Sequence, residues 1–330
     1  MLCNMNVMLR EQSRHSLRLL AALLALLIAM ANPTIRLPRD IRNYMFVIDI
    51  TQSMNVRDMQ LAGRAVSRLA YTRWLLAEVI GKLPCGTKVS IALFANAEVV
   101  PLYTPIEVCS NYAVLQGSLA HLEWRMAWRG SSRVRLGLYA IAMAVATLHE
   151  PAQAVFLTDG DEAPQLNAIN KTELAGLRGS SGWLLAGIGS ERPSPIPKLN
   201  ARDEIIGYWS IYAAKLEPSQ IVDEESRGKR DDSIASQPQE YYLSALDEDY
   251  LQALARDIGA AYVRAETPET LLAAIDRLPP AGHDLASVAL GWLFASLAGV
   301  LVLAEYGSLG HNKPASRSKT GPARQTGPDC

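Results

Sequence analysis

Two hydrophobic periods alternate through the middle of the chain. Short apolar runs rich in Val, Ile and Phe stand at 45–50 (MFVIDI), 88–94 (KVSIALF), 97–102 (AEVVPL), 154–158 (AVFLT) and 183–188 (WLLAGI), with a shorter run at 261–264 (AYVR). Segments with helical periodicity lie between or after them, at 62–82, 111–123, 133–148, 170–178, 247–258 and 268–277. Thr267-Pro268-Glu269 is a good helix start, with Pro at the first helical position. Strands alternating with helices predict an α/β fold built on a doubly wound, mostly parallel sheet. Only Ala95 and Asn96 separate 88–94 from 97–102, so that pair predicts one antiparallel edge hairpin. The rhythm fails over 190–243, where a proline-rich stretch (SERPSPIPKLN) and a charge run (EESRGKRDDS, 224–233) flank one strand candidate, IIGYWSIY. We read 190–243 as a surface insertion in a domain covering 43–280.

The two ends of the chain read differently. LLAALLALLIAMA, 19–31, follows Arg10, Arg14 and Arg18, and its 13 apolar residues fall short of the ~20 that span a bilayer comfortably. Ala29-Met30-Ala31 resembles a cleavage site, so 19–35 is either a signal or an anchor behind a leader at 1–18. LASVALGWLFASLAGVLVL, 285–303, carries no charge between Asp284 and Glu305, and predicts a transmembrane helix over 285–304. The tail, 305–330, is polar and rich in Pro, Gly and Ser, a composition that cannot bury enough surface to order itself. Basic residues in the leader and the tail place both ends in the cytoplasm and the domain outside. The expected location is therefore a bacterial inner membrane with a periplasmic domain.

Charge and composition narrow the function classes. A net charge of −1 gives no basic excess for nucleic acid. The five histidines are scattered, and no GxxxxGK[ST], GxGxxG or GxSxG occurs; GIGSER at 187–192 fails the dinucleotide pattern at its last position. The candidate chemistry lies where strands end. Asp49 closes the first strand, with Thr51 and Ser53 following at spacings of two, and Asp159 follows the AVFLT strand within FLTDGDEAP. In a parallel sheet both ends share the carboxyl edge, where a crevice opens if strand order reverses. Ser131 and Ser132 sit in a third loop able to reach the same edge. Two carboxylates with hydroxyls and no nearby Cys or His make an oxygen-only site suited to Mg²⁺, with Mn²⁺ or Ca²⁺ as alternatives.

DITQS, the GSS loop and FLTDG, in that order, resemble the metal-ion-dependent adhesion site of von Willebrand factor A domains. That resemblance covers about 43–280 and implies metal ligands at Asp49, Thr51, Ser53, Ser132 and Asp159, some through water. Thr51 stands where the family has serine, and Ser132 where it has threonine. The resemblance implies binding of a protein partner through an acidic residue that completes the coordination of the metal, and no catalytic residues are expected in this chain. A haloacid-dehalogenase-like phosphatase would need a second acid at position 51, which is Thr. A metal-dependent hydrolase would need a general base, and the motif loops offer neither His nor Lys.

SRLAYTRWLL (67–76), LPCGTKV (83–89), PIEVCSNY (105–112), WRMAW (124–128) and PSPIPKLN together resemble the membrane-anchored von Willebrand A accessory proteins of bacterial methanol-oxidation clusters. That likeness implies a role in maturing a periplasmic methanol dehydrogenase. Anchored aerotolerance-type proteins that work with MoxR-like ATPases share the layout. Cys85 and Cys109 flank the open ends of the predicted hairpin, where a disulfide suits an oxidising compartment. Trp124 and Trp128 would share one face if a helix continues through them. Asn170-Lys171-Thr172 matches a glycosylation sequon. Asp161 and Glu162 are expected to be solvated. Asp159→Ala is expected to leave the fold intact, because the residue lies in a loop.

Overall fold

A computed structural model describes residues 2–166, 171–180, 182–210 and 241–311. The chain divides into two compact units, Asp40–Asp284 and the two flanking ends, Met1–Arg39 with Leu285–Cys330.

The larger unit is built on one seven-stranded sheet. Its strands are β1 (Tyr44–Asp49), β2 (Lys88–Ala95), β3 (Glu98–Pro101), β4 (Ile106–Glu107), β5 (Gln153–Thr158), β6 (Leu184–Gly187) and β7 (Ala261–Arg264). They run in the order β7-β6-β5-β1-β2-β3, with β4 also pairing with β2. The pairs β1–β2, β1–β5, β5–β6 and β6–β7 are parallel, while β3 and β4 lie antiparallel to β2. Strand β1 is central, and the chain passes first to β2 on one side and later to β5 on the other. In sheets of this kind such a reversal marks the carboxyl ends of β1 and β5 as the place where a ligand would bind.

Alternation along β1 decides which residues meet which helices. Phe46 and Ile48 point into one core with Val155 and Leu157 of β5, and Met45 and Val47 point into the other with Ala154 and Phe156. The first core is covered by α1 (Arg68–Lys82), α2 (Tyr112–Ala120) and α5 (Pro268–Asp276), the second by α3 (Val134–Ala146) and α4 (Glu248–Ile258). With β1 buried at every position, the sheet is enclosed on both faces, as parallel sheets require. Thr267 caps α5 through Thr270, with Pro268 at the first helical position.

Several expectations change. The helix expected from residue 62 begins only after Ser67, whose side chain accepts from the Ala70 N–H. Residues Met59–Leu61 and Arg64–Val66 form a small hairpin instead, because Ala62 and Gly63 both take positive φ, 49° and 75°, in a two-residue turn. The segment expected as a helix over 170–178 shows, among its described residues, one 3-10 turn, Ala175–Leu177; Asn170, the sequon's acceptor, lies outside the described residues. Trp124 and Trp128 share no helical face, since only Trp124–Met126 forms a 3-10 turn. Within the insertion, Ile205–Tyr208 is a strand paired with Pro197–Leu199, and Ser194–Pro195 pairs with Leu243–Ser244. The charge run 224–233 and the tail from 312 lie outside the described residues.

In the smaller unit, Leu2–Ala31 and Gly291–His311 are helices. The expected helix start at Leu285 is corrected. Residues Gly282–Ala289 form a strand whose backbone groups are satisfied by pairing with Thr34–Ile41, and the Leu290 N–H donates to the Pro33 carbonyl at 2.8 Å. Among the described residues, no helix is long and apolar enough to cross a membrane. Glu305 is buried and meets Arg18 at 3.5 Å.

Candidate metal centre

Three loops meet at the carboxyl ends of β1 and β5, and backbone hydrogen bonds tie them together. The Gln52 N–H donates to the Gly130 carbonyl at 3.3 Å, and the Ala163 N–H donates to the Ser132 carbonyl at 2.7 Å. The β2–β3 turn supports the middle loop: Asn96, at φ 58°, bridges to Ser132, and the Arg133 N–H donates to the Asn96 carbonyl at 2.6 Å. Gly160, at φ 76°, turns the chain away directly after Asp159, and a Cβ there would lie 2.9 Å from Leu251. The sequence-predicted residues Asp49, Thr51, Ser53, Ser132 and Asp159 are all placed on these loops, and all are buried.

Asp49 is fully buried and holds three donors. The Thr51 N–H and Oγ1 donate to its Oδ1 at 2.9 and 2.6 Å, and Thr158 Oγ1 donates to its Oδ2 at 2.7 Å. The Thr51 and Ser53 hydroxyl oxygens are 3.4 Å apart. No Lys or Arg forms an ion pair with Asp49 among the described residues. Burial, reinforced by the charge of Asp159, pushes its carboxyl up to about 7, against the hydroxyl and backbone donors.

Asp159 is held by a group that sequence reasoning missed. Its Oδ1 accepts the Asp161 N–H at 3.0 Å, and its Oδ2 accepts Nη1 of Arg68 at 2.6 Å. Arg68 has 0% side-chain exposure and is also bound by Asp58 and Ser244. Burial works against the charge on Arg68, but Asp159 and Asp58 outweigh it and hold the guanidinium above its usual range. Gly189 makes room for it: at φ 134°, a Cβ there would stand 2.9 Å from Arg68 Nε. The GIGSER stretch thus serves close packing against an arginine. Asp159→Ala would remove one of the two carboxylates on Arg68, so its effect reaches beyond the loop in which the residue lies.

Asp161 and Glu162 are not freely solvated either. Tyr242 donates to Asp161 Oδ1 at 2.7 Å, and Tyr250 donates to Glu162 Oε2 at 2.9 Å, which also accepts the Arg135 N–H at 3.1 Å. Burial, then Asp159, pushes Asp161 up to about 6, and burial pushes Glu162 up to about 7. The signals for these contacts were faint in sequence. The tyrosines lie 81 and 88 residues away from their acids.

The donor set fits a hard cation. Ser132 Oγ is buried and has no hydrogen-bond partner among the described residues, a costly state unless a ligand completes it. Asp58 and Asp159 share the single guanidinium of Arg68, and Asp49 has no cationic partner among the described residues, so positive charge is short where a divalent ion would supply it. Cys85 and Cys109 are joined in a disulfide at a Cα–Cα distance of 5.3 Å, so their sulfurs are not free to bind a metal beside Glu107.

Residues 44–162 match the family model described as von Willebrand factor type A domain. Over those residues the chain is similar to a von Willebrand factor A domain. A UPF0353 protein of Mycobacterium leprae is 29% identical over 168 residues, covering 48% of this chain and 48% of its own. A UPF0353 protein of Mycolicibacterium paratuberculosis is 28% identical over 166 residues, covering 48% and 47%. The chain therefore spans about half the length of the curated relatives it matches. The crystal structure of BatB, a conserved hypothetical protein from Bacteroides thetaiotaomicron, aligns at 16% identity with a TM-score of 0.50, covering 71% of this chain and 97% of that one. That likeness is one of fold. The von Willebrand A match ends at residue 162, so it includes all five candidate ligands, whereas Ser244 lies beyond it.

Proposed function

We propose that the domain is a binding module without chemistry of its own, which holds a divalent cation, Mg²⁺ by preference, through Asp49, Thr51, Ser53, Ser132 and Asp159. The buried Ser132 Oγ, without a hydrogen-bond partner among the described residues, carries this reading, because backbone hydrogen bonds tie its loop to those that follow Asp49 and Asp159. When bound, such an ion supplies a coordination place that an aspartate or glutamate of a partner protein can fill. Asp49 as a phosphoryl-accepting nucleophile is disfavoured: position 51 is Thr, and its hydroxyl is spent on Asp49 itself.

We propose further that the helices of the smaller unit anchor the domain to a bacterial inner membrane. Leu20, Leu23, Leu24 and Leu27 on the first helix, and Trp292, Leu297, Val300 and Leu303 on the last, are exposed apolar side chains. A run of such side chains on a soluble surface is unusual and suits a lipid environment. With basic residues at both ends, the domain faces the periplasm. On the sequence resemblance alone, its partner is a periplasmic enzyme under assembly, such as methanol dehydrogenase.

Capture of proteins from a periplasmic extract by the immobilised full chain, with Mg²⁺ and then with chelator, tests the binding reading. Ser132→Ala removes no hydrogen bond, so it should fold normally yet lose both cation affinity and the cation-dependent partner. Retention of the partner in chelator, or by Ser132→Ala at wild-type strength, would sink the proposal.

A further inference from the structure

Arg68 ties the cation site to a distant part of the chain. It is the first residue of α1, fully buried, and shared among three segments. Asp58 takes Nε at 3.1 Å and Nη2 at 2.7 Å. Asp159 Oδ2 and Ser244 Oγ both accept from Nη1, at 2.6 and 2.8 Å, and the Ser244 carbonyl accepts from Nη2 at 3.2 Å. Asp58 Oδ2 also accepts the Ser190 N–H at 3.0 Å. Ser190 and Ser244 stand where the chain enters and leaves the insertion. There, Ser194–Pro195 pairs with Leu243–Ser244 to form a neck, with Ser194 opposite Ser244.

We propose that Arg68 is a positioning residue that couples occupancy of the cation site to the neck of the insertion, an inference that rests on the cation-binding reading above. Arg68 and a bound cation are both positive and both draw on Asp159. How strongly Arg68 holds Asp159 depends on how much of its charge Asp58 and Ser244 absorb. When those groups hold it well, Asp159 is freer to serve the cation. When they do not, Arg68 falls back on Asp159 and competes. The coupling is reciprocal, as linkage requires. A cation that draws on Asp159 shifts Arg68 toward Asp58 and Ser244, and so tightens the contacts at Ser190 and Ser244. A protein that grips the insertion would therefore change cation affinity without touching a cation ligand.

The test uses the full chain with Mn²⁺ as the probe. Asp58→Asn keeps the shape of the side chain and an acceptor oxygen but removes the charge, so Mn²⁺ affinity should fall about tenfold. Ser244→Ala removes one acceptor from Nη1 and should lower affinity in the same direction by a smaller factor; it decides the matter if Asp58→Asn does not fold. Ser194→Ala lies on the same neck, and its hydroxyl donates to the Arg192 carbonyl and not to Arg68; it should bind Mn²⁺ as the wild type does. Hydrogen exchange read on the wild type should show the amides at 190 and 242–246 becoming better protected on Mn²⁺ saturation, a response that a purely structural arginine would not produce. Wild-type Mn²⁺ affinity in both Asp58→Asn and Ser244→Ala overturns the coupling. So does a neck indifferent to Mn²⁺ in a wild type that binds it. A wild type that binds no Mn²⁺ removes the cation reading and this coupling with it.

Discussion

Replacing Asp49 by Asn should make the domain more stable at neutral pH when no divalent cation is present. The Asp49 carboxyl is fully buried, beside Asp159, and without a cationic side chain of its own. Burial and that neighbour raise it from 3.8 in the unfolded chain to about 7 in the fold. Between those two pH values the unfolded chain releases the proton and the folded domain keeps it. The folded state thus binds more protons, and stability falls as pH rises from about 4 to about 7. The full cost is on the order of 4 kcal/mol. Asn removes it, while its amide oxygen still accepts from Thr51 and the Thr158 hydroxyl can turn to accept from the amide nitrogen. Thermal melts in chelator at pH 5 and pH 8 read the effect. At about 2–4 °C per kcal/mol for a domain of this size, the variant should melt roughly 10 °C above the wild type at pH 8 and only about 4 °C above it at pH 5. Excess Mg²⁺ should narrow the gap by stabilising the wild type alone, by about 2.7 kcal/mol at a hundredfold excess over Kd. A variant less stable than wild type at pH 8 in chelator, or one that Mg²⁺ stabilises equally, would refute the argument.

Arg68→Met should destabilise the domain by about 3–5 kcal/mol in urea melts, because it strands Asp58 and Asp159 as buried charges without their counter-ion; a loss under about 1 kcal/mol would mean the guanidinium is not what balances them. The Cys85–Cys109 bridge, 24 residues apart in sequence, should contribute about 3 kcal/mol by the chain-entropy model. Non-reduced peptide mapping of protein isolated from cells should find the two peptides linked, and free thiols there would count against both the bridge and a periplasmic domain.

Much of the sheet was legible because each strand carries its own local signal. The β1, β2, β5 and β6 runs are continuous β-branched and apolar stretches, and Ala95-Asn96 is too short for anything but a hairpin. Asp49 and Asp159 could be brought together from sequence because strand polarity alone places both at one edge. Ser132 needed only a loop of the right order. The small hairpin at 59–66 was lost because apolar spacing there fits a helix as well as two three-residue strands, and Ala62 gives no hint of its positive φ. Arg68 was invisible for a different reason. An arginine beside an apolar helix face reads as a solvated edge, and nothing local says otherwise: its partners lie 10, 91 and 176 residues away. Asp161 and Glu162 were misread as solvated for the same reason, their tyrosine partners being equally remote.

The two site carboxylates therefore do different work, although the sequence presents them as a pair. Asp49 is coordinated by neutral hydroxyls and a backbone N–H, so its charge is left for an ion to balance. Asp159 already has a counter-ion, and its second oxygen is engaged by the Asp161 N–H. This asymmetry gives a physical reason why three buried acids are compatible with the fold without a cation. Arg68 balances one charge permanently, and the raised carboxyl of Asp49 can keep its proton near neutral pH until an ion displaces it. A site in which both aspartates lacked such relief would be forced apart by their repulsion. The same reasoning makes Asp159 a poor probe of cation binding, since its removal disturbs Arg68 and the neck at Ser244 as well. Ser132 Oγ, which has no hydrogen-bond partner among the described residues, has no such second duty, so a change there is the cleaner probe of cation binding.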